Sequence, residues 1–263
     1  MLGLFKPKLP VDRDEYEWLL ACYAWLLREF GGVEGIRARP LVLATTNFFP
    51  HSSLKGHARA LELFGQVKAL AGMADWQCDL VEGAADRETH VATAHLLRHH
   101  NKPQPAGTFG YRDGRYVVTY NPSKRDDPEV LVATFAHELG HYLIHSGESR
   151  PPGGRELEEH ATDLASVFLG FGIFSANSAK NFHAYQNFEV QGWQMQSLGY
   201  LSELARVTAL ALFVRLSGAD AGAAEKGLKD YLRGPLRKAL AAIDRQHSDL
   251  AGDVRAIDLS EWA

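Results

Sequence analysis

The sequence predicts an α+β fold: a small mixed sheet, an edge strand leading straight into a histidine-bearing helix, and a mainly helical C-terminal part. Three observations predict it. Short β-branched runs alternate with helical periodicities before residue 121, residues 107–121 have the form of a hairpin, and the chain beyond residue 127 is patterned almost wholly at helical spacing. The 263 residues suffice for a buried core, which we expect to occupy residues 1–175, with residues 176–263 as a helical extension packed on it.

Asp12 or Asp14 can cap a first helix that runs to about Phe30, with Tyr16, Leu19, Tyr23, Leu26 and Phe30 on one apolar stripe, and Gly31-Gly32 ends it. The run Leu41-Val42-Leu43-Ala44-Thr45 reads as a strand. Ser52 or Ser53 then caps a helix whose Leu54, Leu61, Phe64, Val67 and Leu70 repeat until Gly72, and Trp76 to Val81 follows as a second strand.

From Asp86 to Pro105 the chain is polar and carries His90, His95, His99 and His100. If that segment is helical, His95 and His99 form an i, i+4 pair, but no carboxylate stands beside them and no third ligand is implied. A solvated histidine-rich surface is the preferred reading. Asp113-Gly114 lies between Thr108-Phe109-Gly110-Tyr111 and Arg115-Tyr116-Val117-Val118-Thr119-Tyr120, which predicts a tight primed turn. Asp127 is a natural N-cap for the next helix, with Pro128 in its first turn and Glu129 at the positive end of its dipole. Beyond the loop at residues 147–154, a helix from Glu156 to Leu169 stops at Gly170-Phe171-Gly172. Helices over Leu201–Leu216 and Lys226–Ile243 complete the chain.

Composition excludes some partners. The chain has 28 basic and 32 acidic residues, a formal net charge of −4, which gives no electrostatic case for nucleic acid or for an anionic membrane. Cys22 and Cys78 are the only cysteines and lie on separate elements, so they read as buried thiols in a reducing compartment. The apolar run from Trp18 to Leu27 is too short to span a bilayer, and we expect a cytoplasmic protein. The oligomeric state is not legible.

Chemistry concentrates at His137-Glu138-Leu139-Gly140-His141. Two histidines four residues apart on a helix share a face and can converge on one Zn²⁺, while Glu138, about 100° round the helix, can reach the metal's open side as general base. A catalytic zinc of this kind takes three protein ligands. His145 lies on the same face, yet on a straight helix it stands roughly 12 Å from His137, too far for one ion to bridge. The metzincin spacing fails too, because Ile144 and Gly147 occupy the positions that would need Gly and His. Glu159 begins Glu159-His160-Ala161-Thr162-Asp163, which places a carboxylate and an aspartate on one face of the following helix. Glu159 would complete a His₂Glu site, with Glu158 and His160 as its alternatives, and Asp163 would accept the second N–H of His137 or His141.

At these residues the chain resembles the gluzincin zinc peptidases, in which His-Glu-x-x-His is followed by Glu-x-x-x-Asp on the next helix; here those are His137, Glu138, His141, Glu159 and Asp163. It is similar to compact bacterial intracellular members, including those that cleave repressors. The resemblance covers about a fifth of the chain, from Arg115 to near Leu169. It implies a zincin-like core that binds one Zn²⁺. It also implies that the strand before the motif is an edge, where Val117, Val118 and Thr119 would pair with an extended peptide or protein substrate. Thermolysin-like enzymes stabilise the oxyanion with a downstream His and Tyr. No motif identifies them here, and His183, Tyr185 and Tyr200 stand as candidates.

The expected activity is peptide-bond hydrolysis by metal-activated water with Glu138 as base. A competing expectation is a zinc-binding regulatory or interaction protein that keeps the fold and cleaves nothing, supported by the large helical remainder. The intact Glu138 argues against it, because a purely structural metal site needs no base.

Overall fold

The computed structural model describes residues 8–83, 106–183 and 200–262, so the histidines at 90, 95, 99 and 100, and Tyr185, lie outside the described residues. The architecture is mixed α and β: one small three-stranded sheet and mostly helix.

Helix α1 (Arg13–Glu29) begins at Asp12, whose side chain accepts the Glu15 N–H at 2.8 Å. The expected single stripe is an underestimate, since Tyr16 and every residue from Trp18 to Leu27 are buried. The reason is that α1 is surrounded rather than resting on one surface. The Tyr23 hydroxyl donates to the Ala209 carbonyl (2.7 Å), Trp18 Nε1 to the Pro152 carbonyl (3.1 Å) and Trp25 Nε1 to Ser149 Oγ (2.9 Å). The last two contacts, with Glu29 accepting the Glu148 N–H at 2.7 Å, fasten the loop at residues 147–154 to α1. Each such large apolar side chain taken fully from water contributes about 1.5–3 kcal/mol, so α1 is a rigid backing for that loop.

After a short helix α2 (Gly32–Arg37), the run at 41–45 forms no strand, contrary to expectation. Val42 is fully buried, but its N–H donates to the carbonyl of Gly170, which sits in a turn, and the chain reverses at once through Thr45 N–H to Leu43 (2.8 Å). An apolar run can satisfy its burial as a strap, and without an extended neighbour it builds no ladder. Helix α3 (Gly56–Leu70) starts later than expected, at Lys55, with no side-chain cap. Its buried face is Ala60, Leu63, Phe64 and Val67, an i, i+3, i+4, i+7 set, which leaves Leu54 and Leu61 exposed.

Strands β1 (Cys78–Glu82), β2 (Gly107–Arg112) and β3 (Arg115–Tyr120) form a sheet of order β1-β3-β2. The hairpin is as expected, with Asp113 and Gly114 both at positive φ (49° and 80°) in the turn. The edge-strand expectation is overturned. β3 is central: Val117, Val118 and Thr119 pair in parallel with Asp79, Leu80 and Val81, and in antiparallel with Gly110, Phe109 and Thr108. Their backbone groups are committed on both sides, so no substrate strand can be added there. Cys78, at the start of β1, is half-buried rather than buried, whereas Cys22 is buried; both are free thiols.

Helix α4 (Pro128–His145) carries the motif and begins as the sequence indicates, with Asp127 accepting the Val130 N–H at 3.1 Å. Helix α5 (Glu158–Ser166) is shorter than expected. A wide turn over Val167–Phe171, with Gly170 at φ 101°, redirects the chain into α6 (Gly172–His183) instead of ending the helical run. Then come α7 (Glu203–Ser217), capped by Ser202, α8 (Ala221–Gly227), α9 (Asp230–Gln246) and α10 (Leu250–Ala256). The helix expected over 226–243 is thus two, broken at Leu228-Lys229. One continuous apolar cluster runs from Val11 to Val254 and includes buried residues of α1, α4, α5 and α7. Among the described residues, no helix is long and apolar enough to cross a membrane.

Candidate metal centre

His137 and His141 project from one face of α4, with ring centroids 4.9 Å apart, and α5 lies across them. The loop that joins the two helices is the one fastened to α1, so the register between them is set by Trp18, Trp25 and Glu29. That register delivers Glu159. Its Oε2 lies 3.4 Å from His137 Nε2 and its Oε1 lies 3.6 Å from His141 Nε2. One ligand atom from each of the three falls within 4.8 Å of the others, a group that could hold a metal ion. Glu159 Oε2 is buried, and no donor meets it in good hydrogen-bond geometry, since its nearest polar neighbour is His137 Nε2 at 3.4 Å; a cation between the two would satisfy both. The donor set therefore fits a metal.

Each histidine is oriented from behind by its other nitrogen. His137 Nδ1 faces Asp163 Oδ1 at 3.0 Å, which settles that Asp163 serves His137 and not His141. Asp163 is itself held by buried groups: it accepts from the Leu201 N–H at 2.8 Å and from Arg206 Nη2. Arg206 is 1% exposed and also donates to Ser175 Oγ (2.7 Å) and the Leu201 carbonyl (3.0 Å). His141 Nδ1 meets Thr162 Oγ1 at 3.2 Å, and the Thr162 hydroxyl donates to the Glu158 carbonyl at 2.9 Å. Because that hydroxyl spends its proton on the carbonyl, its oxygen is free to accept from His141 Nδ1, leaving Nε2 as the atom that could meet a metal.

The charges follow from these contacts. Burial alone would lower the His137 imidazole, but the hydrogen bond to Asp163, the close approach of Glu159 and the charges of Asp163 and Glu138 raise it to about 10. His141 is pushed down to about 4, first by burial and then by its charged neighbour His137. Burial opposes ionisation of Glu159 and Asp163 as well, yet His137 for the former, and Arg206 with His137 for the latter, hold both below the usual carboxylate range. Glu138 is 3% exposed and burial raises it to about 7, a value suited to a group that takes and returns a proton near neutrality.

The sheet contributes two features that the sequence reading missed. The chain at Gly107, the first residue of β2, runs against Glu138: a Cβ there would lie 2.5 Å from Thr134 Cγ2 and 2.8 Å from Glu138 Oε1. A glycine inside a strand signals such close approach of backbone. Phe109, two residues on, stacks near-parallel to His141 (6.4 Å, 6°) and packs on Tyr116 and Tyr142.

The remaining expected residues divide. Tyr200 belongs at the site, with its ring 5.2 Å from that of His137. His183 ends α6 and only its backbone is described. His145 is half-exposed and faces Glu158, with Nε2 3.7 Å from Oε1. His160 packs edge-on against Trp18, away from the ligand group. Thr162 and Arg206 were not anticipated. Compared with family models, with curated proteins and with solved structures, the chain matches none.

Proposed function

We propose that this protein is a zinc-dependent peptidase, with His137, His141 and Glu159 as ligands and Glu138 as general base. One observation carries the reading. A buried carboxylate, Glu138 at 3% exposure, stands beside a His₂Glu donor set, and a structural metal site has no use for it. The resemblance of these residues to the gluzincin pattern supports the choice of zinc and of peptide substrates. When bound, the metal would supply Lewis acidity, lowering the pKa of water and polarising the scissile carbonyl.

The chain's own groups do the rest. Glu138 accepts a proton from the attacking water and delivers it to the departing amine nitrogen, ending the cycle ionised as it began. Asp163 keeps His137 in the tautomer that presents Nε2. Tyr200 is the candidate for stabilising the oxyanion. Burial, then the charge of Glu159, raises its phenol, so it remains a hydrogen-bond donor at neutral pH.

Substrate would lie along β2 rather than β3. Asn121 N–H bonds to the Ala106 carbonyl at 2.9 Å, and antiparallel alternation from that pair turns the backbone N–H and C=O of Gly107, Phe109 and Tyr111 outward. Among the described residues no strand pairs with that edge. An extended peptide added there passes Glu138 at Gly107.

Glu138→Gln tests the assignment. The variant is expected to bind zinc at His137, His141 and Glu159 as tightly as the parent, and to lose at least about a thousandfold in hydrolysis of an unstructured protein substrate. Equal turnover by parent and variant would remove Glu138 from the mechanism, and a zinc-loaded parent without turnover would favour the regulatory reading.

A further inference from the structure

We propose that His145 and Glu158, together with His141, form a second divalent-cation site whose occupancy competes with the first. One ligand atom from each of these three side chains falls within 4.8 Å of the others. His145 Nε2 and Glu158 Oε1 are 3.7 Å apart, close to the roughly 3.4 Å that separates two ligands about 2.1 Å from a tetrahedral ion.

The tautomer is already set for it. His145 Nδ1 lies 2.8 Å from the His141 carbonyl, which can only accept, so Nδ1 carries the proton and Nε2 offers its lone pair towards Glu158. His145 was too far along α4 to share an ion with His137. Glu158, the first residue of α5, makes sharing unnecessary. Both side chains are partly exposed, at 50% and 35%, and they border a cavity also lined by Ser149 and Arg150, which leaves space for the ion's remaining water ligands. Such a site exchanges its ion more readily than the buried one beside it.

His141 links the two. Its Nε2 faces Glu159 at 3.6 Å and its Nδ1 faces Thr162 at 3.2 Å, so both ring nitrogens are engaged in the first site. An ion on His145 and Glu158 that recruits His141 must draw the ring from that arrangement, and by linkage each ion weakens the other's binding equally. The consequence is a built-in zinc sensor: hydrolysis proceeds with one ion and falls as the second loads. The site itself is independent of the proposed activity, but this consequence rests on it.

Zinc titration of the full chain, followed by metal analysis and by Co²⁺ absorption, with hydrolysis measured in parallel, tests the proposal. The parent should take up a tight ion and a second at least about tenfold weaker, with turnover lost over the second phase. The double variant His145→Ala, Glu158→Gln should bind one ion and show no inhibition by excess zinc. Glu159→Ala should lose the tight ion and keep the weaker one at equal or higher affinity. Two unchanged phases in the double variant, or loss of both ions in Glu159→Ala, would overturn the second site. A parent that binds both ions but cleaves nothing, with the weaker one lost in the double variant, would sustain the site and sink the peptidase reading alone.

Discussion

His137 and His141 stand one turn apart on the same helix, yet the protein backs them in opposite ways. Behind His137 lies a dry, charged wall: Asp163 at 0% exposure, Arg206 at 1%, Ser175 and the backbone of Leu201, each bonded to the next. Behind His141 there is one hydroxyl, Thr162, tied to a carbonyl, with the ring of Phe109 stacked in front and the half-exposed His145 and Glu158 beside it. The first arrangement fixes an imidazole by charge and by α7, whose Arg206 lies 43 positions beyond Asp163. The second leaves its imidazole adjustable, which suits the side where substrate and a second ion would arrive.

The sharpest way to break this contrast is Asp163→Ala. Removing one partner of a buried ion pair strands the other, and the loss is expected at about 3–5 kcal/mol, because the Arg206 guanidinium is then desolvated without a counter-charge. Urea unfolding of the metal-free variant gives the value. The companion change Arg206→Met, made together with Asp163→Ala, should recover part of the loss, since it removes the stranded charge. A cost below about 1 kcal/mol for Asp163→Ala alone would mean that water reaches Arg206 and that the wall is not dry.

How much of this the sequence disclosed depends on how local each signal was. His137, Glu138, His141, Glu159 and Asp163 were legible because helical spacing alone puts them on facing sides of consecutive helices, and the caps and the Asp113-Gly114 turn that frame them are local too. Arg206 left a trace, a lone cation in the apolar run from Ala205 to Val214, and a buried charge demands a partner. Nothing in the run could say that the partner was Asp163, 43 positions earlier. The edge reading of β3 failed for the same reason. Its hairpin partner is adjacent, but its parallel partner, with Asp79 against Val117, joins segments whose pairing no short-range pattern encodes. Thr162 was invisible because a threonine within a helix is ordinary until its hydroxyl is seen to face an imidazole.

On the other side of the comparison, Thr162→Val keeps the shape and removes the acceptor for His141 Nδ1. Zinc affinity should fall by about 10-fold, the lower end of what loss of a partner behind a ligating histidine costs. The folding free energy should change by only about 1 kcal/mol, the worth of the hydroxyl's bond to the Glu158 carbonyl. Competition with a chelator of known affinity reads the first quantity and urea unfolding the second. A fall of about a thousandfold would place both histidines in equally demanding surroundings and end the contrast.

The smallest effect belongs to Phe109→Leu. Phe109 stacks on His141, packs on Tyr116 and Tyr142, and has its ring centroid 5.9 Å from that of His145, so it is the aromatic face of the adjustable side. Leucine retains most of the apolar area and forfeits the ring geometry, worth about 0.5–1.5 kcal/mol, so the stability loss should sit near 1 kcal/mol. Zinc affinity should move less than about threefold, because the ring bonds to neither nitrogen of His141 and the Thr162 contact that sets the tautomer remains. Chelator competition on Phe109→Leu and Thr162→Val side by side separates packing from orientation: if the phenyl ring proved as important to the metal as the hydroxyl, His141 would be held by a wall of its own, built of aromatic surface where His137 has charge.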